Sequence, residues 1–80
     1  MSRKPKDDSI DREAIGARIR EIRSELGMTQ AQLAEKLKVE RTMIVKLEQG
    51  KFTDISLKVL VGLAVILGKD IGYFVLGDAE

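Results

Sequence analysis

The side chains able to do chemistry in this 80-residue chain are hydrogen-bonding or charged ones, because the sequence contains no histidine and no cysteine. Both the commonest general base and the most reactive protein nucleophile are therefore missing. The carboxylates are scattered among Lys and Arg at ordinary surface spacing, which offers no catalytic pair. The expectation is that the protein is not an enzyme. Metal ligation fails on the same inventory, since zinc wants Cys or His and a calcium loop wants several oxygen ligands around a glycine in one short segment, so neither metal nor cofactor is expected. The glycines, from Gly16 to Gly77, are expected mainly at helix ends and make no phosphate-binding loop. What remains is a cluster of donors: over residues 28–51 the cations Lys36, Lys38, Arg41, Lys46 and Lys51 outnumber the carboxylates Glu35, Glu40 and Glu48.

The elements that must position those donors lie in residues 29–50. Thr29 followed by Gln32 is a capping box, in which the threonine oxygen accepts from the Gln32 N–H while the glutamine side chain accepts from the Thr29 N–H. A helix starts there, with Leu33, Ala34 and Leu37 on one side. Lys38-Val39 then interrupts, and a new periodicity begins with Ile44 and Leu47. Gly50 stands where a left-handed cap is expected. In this second helix Met43, Ile44 and Leu47 form a stripe suited to the core, whereas Arg41, Thr42, Val45, Lys46 and Gln49 lie opposite.

Two short helices joined by a three-residue bend, with this spacing, resemble the Cro/CI-type helix-turn-helix of phage repressors and bacterial regulators. The resemblance runs from about Gly16 to Asp78 and rests on Gln30, the pair Leu33-Ala34, the turn Lys38-Val39, Ile44, and the ending Glu48-Gln49-Gly50. Two positions depart from the family pattern. Lys38 stands where Gly is usual, which costs about 1 kcal/mol if its backbone is left-handed, and Glu40 replaces the usual Ser or Thr cap. The resemblance implies an all-α, five-helix, lambda-repressor-like domain that binds double-stranded DNA. A helix that fits the major groove, side chains that read base edges and donors that hold phosphates are all present. By position in the family, Arg41, Thr42 and Lys46 would read bases, Val45 would touch a thymine methyl and Glu40 would accept from cytosine N4. Thr29 and Gln30, at the start of the first motif helix, and Lys51, past Gly50, would hold phosphates. The same resemblance pairs Arg23 with Glu48. The loop at Thr53-Asp54 lacks the arginines that some members insert in the minor groove.

The rest of the chain reads as support. Residues 1–9 combine Arg3, Lys4 and Lys6 with Asp7 and Asp8 and no apolar pattern, which predicts a disordered arm ahead of a domain spanning residues 10–80. Helix 1 is expected from Asp11 to Leu26 on the period of Ile15, Ile19, Ile22 and Leu26, stopped by Gly27, with Arg18 and Arg20 on a solvated face. Ser56 should cap a helix running through Leu67, with Leu57, Leu60, Leu63, Ala64 and Leu67 facing the core. Asp70 should cap a last short helix at residues 71–76, for which a strand is the rival reading because Tyr73, Phe74 and Val75 favour sheets. The fourth helix is apolar almost all round, and so small a domain cannot cover every face by itself. Val61, Val65, Ile66, Tyr73 and Val75 are therefore the expected interface of a homodimer. No apolar run is long enough to span a membrane or placed to direct export, which gives a cytoplasmic address. The expected function is a homodimeric repressor covering two half-sites. An antitoxin or a restriction-modification controller, with a toxin or polymerase as further protein partner, is the alternative.

Overall fold

In the computed structural model, which describes residues 10–77, each helix begins where the sequence disposes of its free N–H groups. Five helices result: α1 (Arg12–Glu25), α2 (Gln30–Leu37), α3 (Arg41–Glu48), α4 (Leu57–Leu67) and α5 (Ile71–Leu76). The expected arm at residues 1–9, and the last residues, 78–80, lie outside the described residues. Asp11 accepts from the Ala14 N–H at 3.0 Å to open α1. Both halves of the α2 capping box form, at 3.0 Å from the Gln32 N–H to Thr29 Oγ1 and 2.9 Å from the Thr29 N–H to Gln32 Oε1. Ser56 Oγ accepts from the Val59 N–H at 3.1 Å to open α4. Glu40 and Asp70 occupy the cap positions of α3 and α5 without a side-chain hydrogen bond, so Asp70 does not make the cap expected of it.

Residues 71–76 are a helix. Their β-favouring side chains do not decide the matter, because a strand there would need a neighbouring strand to take its backbone groups, and the described residues form none. A helix satisfies much of its own backbone while burying Phe74 completely.

The core is assembled from Ile15, Ile19 and Ile22 of α1, Leu33 and Ala34 of α2, Ile44 and Leu47 of α3, Leu63 and Leu67 of α4, and Phe74 of α5. α1 packs on both α3 and α5, α2 on α3 and α4, and α4 on α5. Four residues expected on the core side are outside it: Leu26 is 53% exposed at the end of α1, Leu60 is half-buried away from the cluster, and Met43 and Leu57 are exposed. Met43 is 40% exposed, because the buried stripe of so short a helix is Ile44, Leu47 and Glu48, at i, i+3 and i+4, and leaves Met43 at its edge. Leu57 is 71% exposed because it falls in line with Val61 and Val65, one every four residues, on a different side of α4 from Leu63 and Leu67.

Glycine is also needed inside helices, not only at their ends. Gly16 is buried in mid-α1, where a Cβ would overlap the Leu47 carbonyl oxygen and lie 2.7 Å from that of Glu48. α1 and α3 therefore touch backbone to backbone, a distance that a side chain would forbid. A further correction concerns Arg18. Instead of lying on a solvated face, it is half-buried and donates from Nη1 to the carbonyl oxygens of Phe74 at 2.8 Å and Val75 at 3.2 Å.

Candidate nucleic-acid interface

The bend between α2 and α3 is made by three residues, Lys38, Val39 and Glu40, and begins with a left-handed residue. Lys38 has φ 62° and ψ 45°, the only positive φ at a non-glycine among the described residues. Its N–H donates to the Glu35 carbonyl at 3.1 Å, and the Val39 N–H reaches back to Ala34 at 3.0 Å, which closes α2 tightly enough for α3 to turn across it. At the other end of α3 the Gly50 N–H bonds the Leu47 carbonyl at 3.1 Å and the Lys51 N–H bonds that of Lys46 at 2.9 Å. This pair of hydrogen bonds around a left-handed glycine, φ 74°, fixes where the backbone of Lys51 sits relative to the helix. Gly50 also faces the start of α1, where a Cβ would come 2.8 Å from Glu13 Cα, so glycine is required on both counts.

Orientation of α3 rests on a buried charge pair. Arg23 Nε and Nη2 donate to the two oxygens of Glu48 at 2.6 Å and 3.1 Å, a fork with side-chain exposures of 12% and 3%. Nη1 of the same arginine donates to the Met28 carbonyl at 2.7 Å, and Gln30 Nε2 donates to Glu48 Oε1 at 3.1 Å. Glu48 thus accepts from α1 and α2 together while standing in α3. A pair this buried specifies a mutual arrangement of helices more than it adds net stability, because desolvation offsets much of its attraction.

The outer side of α3 carries what the sequence placed there, with one change. Arg41, Thr42, Lys46 and Gln49 are exposed, Val45 is half-buried, and Met43 joins the exposed set. Its position three residues before Lys46, on the same side of a helix, was the signal that could have found it. An open groove of about 830 Å³ runs between α3, the following loop and the start of α4, and brings Glu40, Thr42, Met43, Lys46 and Lys51 to one place. Arg41 stands outside that groove and donates from Nη2 to Gln30 Oε1 at 3.4 Å. Gln30, expected to be free for phosphate, is therefore tied between Glu48 and Arg41. Thr29 is likewise occupied by the capping box, although it remains exposed. In the loop, Arg12 Nη2 donates to the Thr53 carbonyl at 3.4 Å and fastens it to the start of α1. Among the described residues no helix is long and apolar enough to cross a membrane.

The sequence profile of the helix-turn-helix family matches residues 19–74, which takes in α2, the left-handed bend and α3. The chain belongs to the Cro/CI-type helix-turn-helix family. It is 42% identical over 64 residues to an uncharacterised HTH-type transcriptional regulator of Archaeoglobus fulgidus, covering 79% of this chain and 90% of that protein. Among solved structures, the P22 c2 repressor in complex with a synthetic operator is 30% identical with a TM-score of 0.75, covering 80% of this chain and 96% of the chain in that structure. The restriction-modification controller C.AhdI from Aeromonas hydrophila is 27% identical with a TM-score of 0.70, over 78% of this chain and 92% of the controller. The protein is accordingly a DNA-binding transcriptional regulator, with α2 and α3 as its helix-turn-helix and the all-α, five-helix repressor fold around them.

Proposed function

We propose that this helix-turn-helix protein is a homodimeric repressor that covers two half-sites of an operator, with α3 of each copy in a major groove. Supporting this reading is the division of α3 into a buried stripe, Ile44, Leu47 and Glu48, and an exposed side bearing Arg41, Thr42 and Lys46. In the proposal Arg41 presents its guanidinium fork to a guanine, Thr42 and Lys46 contact neighbouring base edges, and Val45 and Glu40 play lesser parts at a thymine methyl and a cytosine amine. Lys51 holds phosphate just past the helix end. Gln30 serves chiefly as the brace that holds Arg41, and Thr29 contributes the exposed N-terminus of α2. Catalysis has no part in this reading, and the site of action is cytoplasmic.

The outer face of α4 supports the dimer reading. Leu57, Val61 and Val65 are 71%, 42% and 75% exposed in one stripe, and Leu76 of α5 is 66% exposed. Surface of this kind in so small a domain calls for a partner, and a twofold copy would set two recognition helices about one turn of DNA apart. Ile66, Tyr73 and Val75 are half-buried and form the edge of that interface, while Leu57 is added to it. Val65→Asp should give monomers in sedimentation and weaken binding to a two-half-site operator found by selection from a random duplex pool. A variant that stays dimeric moves the interface elsewhere. The likeness to C.AhdI favours a restriction-modification controller as the second reading. The nature of the neighbouring gene separates the two.

A further inference from the structure

The outer side of α3 has two edges. Arg41, Val45 and Gln49 recur every four residues along one of them, which Arg41 joins to α2 through its hydrogen bond to Gln30. Thr42, Met43 and Lys46 form the other, and these three, unlike the first set, line the groove toward the loop that carries Lys51. Thr42 and Lys46 are polar and at home in water. Met43 is not: an unbranched apolar side chain, 40% exposed, it stands outside the buried stripe with an exposed threonine before it and an exposed lysine one turn on. It is the third residue of α3, and its N–H donates to the Glu40 carbonyl at 3.0 Å, which places it in the first turn. That turn is the part of a recognition helix that meets base edges.

In the major groove the apolar group a base offers is the C5 methyl of thymine, and it lies next to the acceptor O4 of the same base. An apolar side chain with a donor three residues further on, Met43 followed by Lys46, matches that pair of features. Methionine suits the contact because its unbranched, polarisable chain adapts to the shape it meets. We propose that Met43 is a specificity-determining residue of the helix-turn-helix: it covers the methyl of a thymine in each half-site, so that one position of the operator is read by removing a methyl group from water. This rests on the reading of α3 as the recognition helix given above. It gives the groove-side edge of α3 a sequence preference separate from that of Arg41. Val45 lies on the opposite edge, so the methyl contact proposed for it is a different one.

Replacing thymine by deoxyuridine removes the methyl and keeps both base pairing and O4, so the exchange isolates this contact. The operator is selected from a random duplex pool with the wild-type protein, and each thymine of its half-sites is exchanged in turn, the same position in both. Wild-type protein should lose about fourfold in affinity per half-site at one thymine position, the scale of a single methyl group removed from water. Met43→Ala should show no such loss at that position and keep the losses at any other thymine. Met43→Leu, which keeps an apolar chain, should retain most of it. If Met43→Ala does not fold, Met43→Gln, similar in length but polar, is held to the same outcome. Retention of every methyl loss in Met43→Ala overturns the proposal, whether its affinity is unchanged or lowered on all duplexes alike. So does an operator in which no thymine responds to the exchange, and so does a loss that vanishes in Val45→Ala but not in Met43→Ala. The reading of α3 as the recognition helix fails separately, if Arg41→Ala and Lys46→Ala leave the selected site unchanged.

Discussion

Arg41 and Lys51 are both exposed cations at the edges of α3, yet their surroundings give them different work. Arg41 projects from the first turn and donates to Gln30, and in the proposed mode its fork meets the O6 and N7 of a guanine, a contact worth about 1–3 kcal/mol of discrimination. Lys51 is held by the hydrogen bond from its N–H to Lys46 at a point beyond the helix, within reach of backbone phosphate only in the proposed mode. Arg41→Ala should therefore relax preference at one symmetric position of the site and leave the others as they are. Lys51→Ala should weaken all duplexes alike and flatten the salt dependence by about 0.9 per lost phosphate contact, or twice that in a dimer. Site selection on both variants checks this. An unchanged preference for Arg41→Ala, or a changed one for Lys51→Ala, would mean the recognition surface lies elsewhere. Lys38 belongs to the same scale. A left-handed lysine costs roughly 1 kcal/mol relative to glycine, and the tight closure of α2 onto α3 supplies the constraint that keeps it there.

Between elements, the decisive contacts are the ones that set how α1 lies on α3. Gly16 allows the two backbones to touch, and Arg23 with Glu48 then fixes their rotation. Removing one partner leaves the other charge buried and unmatched, at about 3–5 kcal/mol, whereas replacing both by apolar residues of matched size should cost much less. A double-mutant cycle on unfolding free energy measures this, and zero coupling would sink the idea of a specific pair. Much of this level was legible in the sequence. The capping box, the glycine stops and the apolar periods placed α1, α2 and α4 to within a residue, residues 71–76 stayed open between helix and strand, and the family resemblance supplied α3 as the second motif helix and the Arg23–Glu48 pair. Met43 and Leu57 were misplaced because periodicity defines a stripe only to within one position at a helix end. Arg18 and Gly16 were missed for a different reason. Their partners are backbone atoms distant in sequence, carbonyls of α5 and of α3, and no side-chain pattern announces them.

At the scale of the whole molecule, the question is how 80 residues remain folded. A domain of this size buries roughly 60–65% of its unfolded surface and sits near the lower limit of independent stability. Here part of the apolar surface that could contribute, Leu57, Val61, Val65 and Leu76, is left in water by the single chain. Burying that stripe against a second copy would add stability through association, and association is governed by mass action. Thermal stability should therefore rise with protein concentration above the dimer dissociation constant, and become independent of concentration well below it, where the folded monomer predominates. Val65→Asp should make the midpoint independent of concentration, and lower than that of the wild-type sequence at concentrations where the wild-type dimer is populated. Calorimetry across a hundredfold dilution series, roughly 2.7 kcal/mol of mass-action span, is enough to see the slope. A wild-type midpoint that does not move over that range would mean that the chain is stable alone, and that the bare face of α4 is covered by something other than its twin.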